Sequence, residues 1–273
     1  MSAITFEGAV TNALQLEAQV RRRRYLKLAA WGAVALAALW YSAVQIKLSP
    51  IALANGVPYM WDFITRLFPP DLSYLALLGG ATIETVQIAI WGTLLAVIFS
   101  IPLAFLGARN TTPHIVVFHL TRLLLNALRA INELVFALIF VSAVGLGPFA
   151  GVLAVALHAT GMLAKFCAEE IEGVDKGQVE AQMATGASRM QVILFGVTPQ
   201  IVPQFIGYAI YRLDVSIRSA TVLGLVGAGG LGFSLIQNMK LFKYHQTATC
   251  ILVIFLLVLI SDWICGRLRR KVI

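Results

Sequence analysis

Charged side chains inside otherwise apolar stretches are the groups in this chain with chemistry to offer. An ionised group in a membrane-like setting is costly and faces either a partner or a water path. Arg212, Asp214 and Arg218 stand in the apolar run 199–226, and Arg129 and Glu133 in the run 122–145. Asp214 and Arg218 are four residues apart, as are Arg129 and Glu133, the separation at which side chains share a helix face and can pair. The other chemistry open to them is recognition. A guanidinium offers paired donors that match an oxyanion, so Arg218 or Arg212 can present positive charge to an anion crossing the protein. Both readings stay open at this level. His158, with Thr160 and Lys165, in the run 148–171 is a weaker pathway candidate, since a lone intramembrane histidine is more often a packing residue.

Reaction chemistry finds no support. There is no GxSxG, no HExxH, no clustered histidine and no paired carboxylates, so no catalytic residue and no metal site are expected. Cys167, Cys250 and Cys265 lie in or beside apolar runs without redox or ligand spacing. Gly227-Ala228-Gly229-Gly230-Leu231-Gly232 satisfies GxGxxG, but a dinucleotide fold needs a preceding strand and an acidic residue about 20 positions on, where Leu252 stands. A glycine hinge at Gly227, Gly229, Gly230 and Gly232, closing an outward mouth, is the better account.

The elements that position these groups follow from composition. Of 273 residues, 59% are hydrophobic and 12% charged, far from a soluble domain with about 25% charge. The fold class is all-α: a polytopic membrane protein whose length fits six transmembrane helices at about 20 residues each. They are placed at about 28–46, 76–107, 122–145, 148–171, 199–226 and 246–266. No room remains for an ATPase domain. The first half of the third helix, from His114 through Arg129, mixes His119, Arg122, Asn126 and Arg129 with leucines at helical spacing, so part of it lies along or leaves the interface. The run 28–46 is too long for a signal-peptide core and lacks a cleavage site, which makes it a retained span.

The net charge of +8 is concentrated at the two ends, Arg21 to Arg24 with Lys27 and Arg267 to Lys271. Basic clusters flanking apolar spans are topology signals rather than a nucleic-acid surface. They put both termini in the cytoplasm, which six crossings satisfy, with Arg109, Arg122 and the 169–190 loop inside and 47–75, 145–148 and 227–245 outside. Lys240 and Lys243 run against the rule. Residues 1–27 form a cytoplasmic N-terminal segment whose Phe6 to Gln19 pattern predicts an amphipathic helix on the membrane, and 28–273 form the transmembrane domain. Gly79, Gly80, Gly92, Gly107, Gly145, Gly147 and Gly161 are close-approach or kink points for a bundle, one compatible with a dimer.

Glu169, Glu170, Glu172, Asp175, Lys176, Glu180 and Arg189 make 169–190 a charged loop in an apolar chain, to be placed in water within reach of another protein. Glu180 to Ala184 reads as a short helix, Gly186 as a sharp turn, and Ser188 as the cap of a second helix running into Val192, Ile193 and Leu194. Pro199 then opens the next span, where its missing amide costs little. Two short helices at an angle over about 173–198 form a knob that transmits force when a partner grips it.

This spacing resembles the EAA signature of bacterial ABC importer permeases: Glu180 and Ala181, Gly186 six after the Glu, and Pro199 thirteen after the Gly. Gln182 and Thr198 depart from the usual Ala and Leu. Arg129 to Ala137, Val144 to Leu153 and Tyr211 to Gly232 look like the phosphonate importer permease, over roughly residues 80 to 273, with the first 75 contributing little. The glycine-rich segment is shared with methionine-type permeases. The resemblance implies a type I importer in a bacterial inner membrane, with the methionine-permease-like architecture. It further implies a permease homodimer, two ATP-binding subunits that bind the ATP and Mg this chain does not, and an extracytoplasmic phosphonate-binding protein. Coupling then falls to Glu180, Ala181, Gly186 and Arg189. A methionine permease, or a secondary transporter or channel without an ATPase, is the competing expectation.

Overall fold

In lipid, a chain of long apolar runs can satisfy its own backbone hydrogen bonds only as helix or closed barrel. In the computed structural model every regular element among the described residues, 3–272, is a helix, with side chains described for 23–25 and 27–271. Contacts divide the chain into two units, up to Phe63 and from Ile64 on. The first holds α1 (Ala3–Gln45) and most of α2 (Pro50–Leu67). α1 is unbroken, so the expected N-terminal segment and first span are one helix. The amphipathic face expected over 6–19 lies outside the described side chains. α2 replaces an expected outward connection with an 18-residue helix that buries none of its residues.

The second unit contains α3 (Leu75–Gly107), α4 (Ile115–Ala130), α5 (Glu133–Val144), α6 (Pro148–Glu172), α7 (Lys176–Ala184), α8 (Arg189–Gln191), α9 (Thr198–Leu223), α10 (Gly230–Lys240) and α11 (Tyr244–Val272). Among the described residues five helices are long and apolar enough to cross a membrane, or six if α4 and α5 count as one bent span.

That bend corrects the expected third helix. α4 and α5 meet at 89°, because Ile131 and Asn132 are extended and the Asn132 side chain caps α5 by accepting from the Leu134 amide at 2.9 Å. An Asn offering its own cap competes with helix continuation. Arg129 and Glu133 therefore do not share a helix face. The expected outward loop 227–245 is likewise mostly α10.

α3 and α6 form the centre. α3 buries Thr85, Ile88, Ala89, Gly92, Thr93 and Ala96 at helical spacing, and α6 answers with Gly151, Ala154, Val155 and Ala159. Lipid tails are as apolar as the helices, so contact rather than hydrophobic drive holds them, and small residues permit it. A Cβ on Gly92 would lie 2.7 Å from Val155 Cγ1, and one on Gly161 2.7 Å from Leu128 Cβ. Gly79 and Gly80 meet nothing within 4 Å, so those two are not close-approach points within the chain.

Candidate functional site

The charged loop is built as two short helices. Asp175 caps α7, its carboxylate accepting from the Gly177 amide at 2.9 Å. α7 starts four residues before the expected Glu180. Gly186 has φ +78, a left-handed turn that side chains with a Cβ resist. Ser188 caps α8, and the Gln191 side chain reciprocally accepts from its amide at 2.8 Å, a capping box. Val192–Val197 is π-helical and feeds α9, where Pro199 lies in the first turn. Both departures from the EAA pattern are accommodated: Gln182 packs beside Gly196, and the Thr198 hydroxyl donates to the Ile193 carbonyl at 2.9 Å.

Glu180, Ala181, Gly186 and Arg189 are exposed. So are Met183 (58%), Met190 (73%) and Phe195 (61%), an apolar surface on a polar segment. Arg189 also reaches inward, donating to the Thr111 and Thr112 carbonyls at 3.1 and 2.5 Å. Val179 of α7 packs on a core of Ala104, Ala108, Ala168, Ile171, Val197 and Ile201, which seats the loop on the ends of α3, α6 and α9. Glu169, Glu170 and Glu172 are not in the loop: they end α6. Arg122 pairs with Glu172 at 2.9 Å and Glu169 at 3.7 Å, and the Tyr208 hydroxyl donates to Glu170 at 2.5 Å.

The intramembrane charges sort into two clusters. Arg212, 3% exposed, pairs with Glu133 at 3.0 Å, and the Ser219 hydroxyl donates to the other Glu133 oxygen. Glu133 is thus the partner of Arg212 across two helices rather than of Arg129, which is exposed at the end of α4. The Arg212 Nε is buried without a partner. Asp214 and Arg218 pair as their spacing predicts, with Ser261 of α11 donating to Asp214 at 3.1 Å. The Arg218 side chain remains 51% exposed. His158 Nδ1 lies 3.0 Å from the Ile131 carbonyl at the α4–α5 break, a structural contact that joins neither cluster.

The glycine-rich segment is a tightly docked connection. A helical turn, Gly224–Val226, precedes it in place of a strand, consistent with rejecting a dinucleotide site. Gly227, Gly229 and Gly230 have φ +92, +81 and +69. The Gly147 amide donates to the Gly227 carbonyl at 3.0 Å, and a Cβ on Gly232 would collide with the Thr221 carbonyl. Two residues that no motif marks hold the start of α10: Glu84 accepts from the Gly230 amide at 3.1 Å and Thr85 from the Leu231 amide at 2.8 Å. An acidic residue inside α3 was the signal that could have found them.

Residues 97–273 match the family model described as binding-protein-dependent transport system inner membrane component. The chain is 45% identical to the phosphite transport system permease protein PtxC of Stutzerimonas stutzeri, over 87% of this chain and 85% of that one. It is 41% identical to the phosphate-import permease protein PhnE of Mycolicibacterium smegmatis, over 84% of this chain and 43% of that one. These alignments reach into the first 75 residues, more than motif resemblance suggested. A structure of the MetNI methionine ABC transporter in an inward-facing conformation superposes with a TM-score of 0.64 at 20% identity, covering 74% of this chain and 99% of that one, which speaks to the fold alone. With the family model matched over most of its length, the chain belongs to the binding-protein-dependent transport system inner membrane components and has the fold of a type I ABC importer permease.

Proposed function

We propose that this permease subunit moves phosphonate or the related oxyanions phosphite and phosphate into the cytoplasm. The observation that carries the reading is the identity of 45% and 41% to phosphite and phosphate permeases over more than four fifths of the chain. Two copies would enclose the path, two ATP-binding subunits would grip α7 and α8, and a phosphonate-binding protein would deliver substrate from outside. ATP and Mg belong to the partners, and this chain carries no cofactor of its own. Both termini lie in the cytoplasm, a reading supported by Arg269, Arg270 and Lys271 in the last turn of α11.

Exposed Met183, Met190 and Phe195 beside Glu180 support a protein partner at the knob, because aromatic and Met side chains are enriched at interfaces. Displacement of α7 and α8 passes through the π-helical segment into α9 and through Arg189 to the connection between α3 and α4. Along the path, Arg218 is the donor offered to an oxyanion. Arg212 is already neutralised by Glu133 and serves packing. One or two donors suit transport, since a full cage would hold what must leave. Gly227 to Gly232 with α10 form the outward gate.

The test is the purified complex with its binding protein, assayed for ATP hydrolysis against methylphosphonate, phosphite, phosphate and methionine. Phosphorus oxyanions are expected to stimulate hydrolysis and methionine is not. Stimulation by methionine alone overturns the reading.

A further inference from the structure

The start of α10 is held to α3 by two side chains that belong to neither charge cluster. α10 has 11 residues and is set off from α9 and α11 by left-handed residues, at Gly227 and Gly229 before it, at its first residue Gly230, and at Phe242 after it. It can therefore move as a piece. Two side chains on consecutive positions of α3 hold its first amides: Glu84 accepts from Gly230 and Thr85 from Leu231. The fit is tight, since a Cβ on Gly229 would collide with the Glu84 carboxylate and one on Gly230 would come within 2.5 Å of Thr85 Oγ1. At its far end α10 is tied by Asn238, which donates to the Tyr74 hydroxyl at 3.1 Å.

Glu84 lies nine residues into α3, about 14 Å along the helix at 1.5 Å per residue. It is half-buried and has no ion-pair partner among the described residues. A carboxylate there needs donors, and the amides at a helix N-terminus supply them with favourable dipole direction. That compensation exists only while α10 is docked. When α10 withdraws, the carboxylate must be solvated instead, which only a water-filled mouth can do. A partly opened, dry state satisfies it in neither way and is costly. A charge at this position thus makes the gate two-state, closed on amides or open to water.

We infer that Glu84, with Thr85, is a positioning pair that latches α10 to α3 and holds the outward mouth closed between deliveries. The inference rests on the gate reading above but not on which substrate passes. The glycines are then required less for hinge freedom than to let the carboxylate and hydroxyl reach the amides.

The experiment uses the assembled complex with its ATP-binding partners in nanodiscs and compares wild type with Glu84→Ala, Glu84→Gln and Thr85→Ser. Hydrogen exchange is read over 224–232, and ATP hydrolysis is measured without binding protein. Loss of a charge-assisted bond should raise exchange of the Gly230 and Leu231 amides roughly ten- to a hundredfold in Glu84→Ala, leaving α6 and α9 protected as in wild type. Hydrolysis without binding protein should rise several-fold, because gate and nucleotide states are linked equilibria. Glu84→Gln keeps an accepting oxygen but not the charge and should fall between wild type and Glu84→Ala on both readouts, whereas Thr85→Ser should stay within about twofold of wild type. Wild-type exchange over 224–232 in Glu84→Ala overturns the latch. So does exchange raised equally throughout the bundle, which would mark a general packing role, or identical behaviour of the Ala and Gln variants. The exchange readout needs no substrate, so a wrong substrate assignment leaves this outcome intact.

Discussion

Removing Glu133 separates the two roles open to Arg212. The guanidinium is 3% exposed and 3.0 Å from Glu133, which also accepts from Ser219. Glu133→Ala strands a buried cation, a change that costs about 3–5 kcal/mol. At about 1.4 kcal/mol per tenfold, that is a hundredfold to a few thousandfold in the folding equilibrium. Replacing both, Glu133→Met with Arg212→Met, exchanges the pair for apolar volume and removes the unpartnered Arg212 Nε as well. The double variant should be within about 1 kcal/mol of wild type or more stable, since buried pairs often gain little over a well-packed apolar substitute. The assay is unfolding of the purified chain in mixed micelles by detergent titration, with uptake by the reconstituted complex measured on the same variants. A structural pair predicts an unstable single variant, a rescued double variant, and uptake in the double variant near wild type. The reasoning is refuted if Glu133→Ala is as stable as wild type or if the double variant is no better than the single. A stable double variant that fails to transport returns Arg212 to the substrate path.

Gly186 has φ +78 with open space around a would-be Cβ, so backbone strain alone sets its tolerance. Gly186→Asn should keep uptake, whereas Gly186→Val, at a cost of about 1–3 kcal/mol, should leave the complex assembled but lower uptake per ATP hydrolysed. Gly161→Leu overpacks α6 against Leu128 and should destabilise by at least about 1–3 kcal/mol, while Gly79→Leu, with nothing within 4 Å, should be neutral in the same unfolding titration. Arg218→Ala should cut phosphonate-stimulated hydrolysis at least severalfold without preventing assembly, because Asp214 keeps Ser261; unchanged stimulation leaves Arg218 as a partner of Asp214 only. At Asp71 the Ser73 hydroxyl, donating at 2.5 Å, holds the carboxyl below its usual range. A depressed folded pKa contributes stability above the unfolded value, near 4, that is lost as pH falls through the folded one. Amide protection over 71–75, taken relative to intrinsic exchange at each pH, should therefore fall on acidification in wild type and not in Asp71→Asn.

Periodicity and composition were enough to read the apolar spans other than the third, because burial in lipid demands long apolar helices whatever they pack against. The charged loop before α9 was legible for a related reason. Its caps and turn are local: Ser188 with Gln191, the left-handed Gly186 and Pro199 at a first turn each act within a few residues. The Asp214–Arg218 pair was legible too, being four apart on one helix.

What the sequence could not decide were choices between partners far apart in the chain. Glu133 stands four residues from Arg129, yet a two-residue break at Ile131 and Asn132 turns it away by 89° toward Arg212, 79 positions on. Glu84 meets Gly230 across 146 positions. The sequence by itself determined that this is a helical membrane protein with a charged loop of two short helices before α9, because lipid and local capping act on neighbouring residues. Only the tertiary structure decided which intramembrane charge answers which, and that Glu84 and Thr85 accept from the first amides of α10, because a buried charge takes whatever donor the packing of helices brings to it.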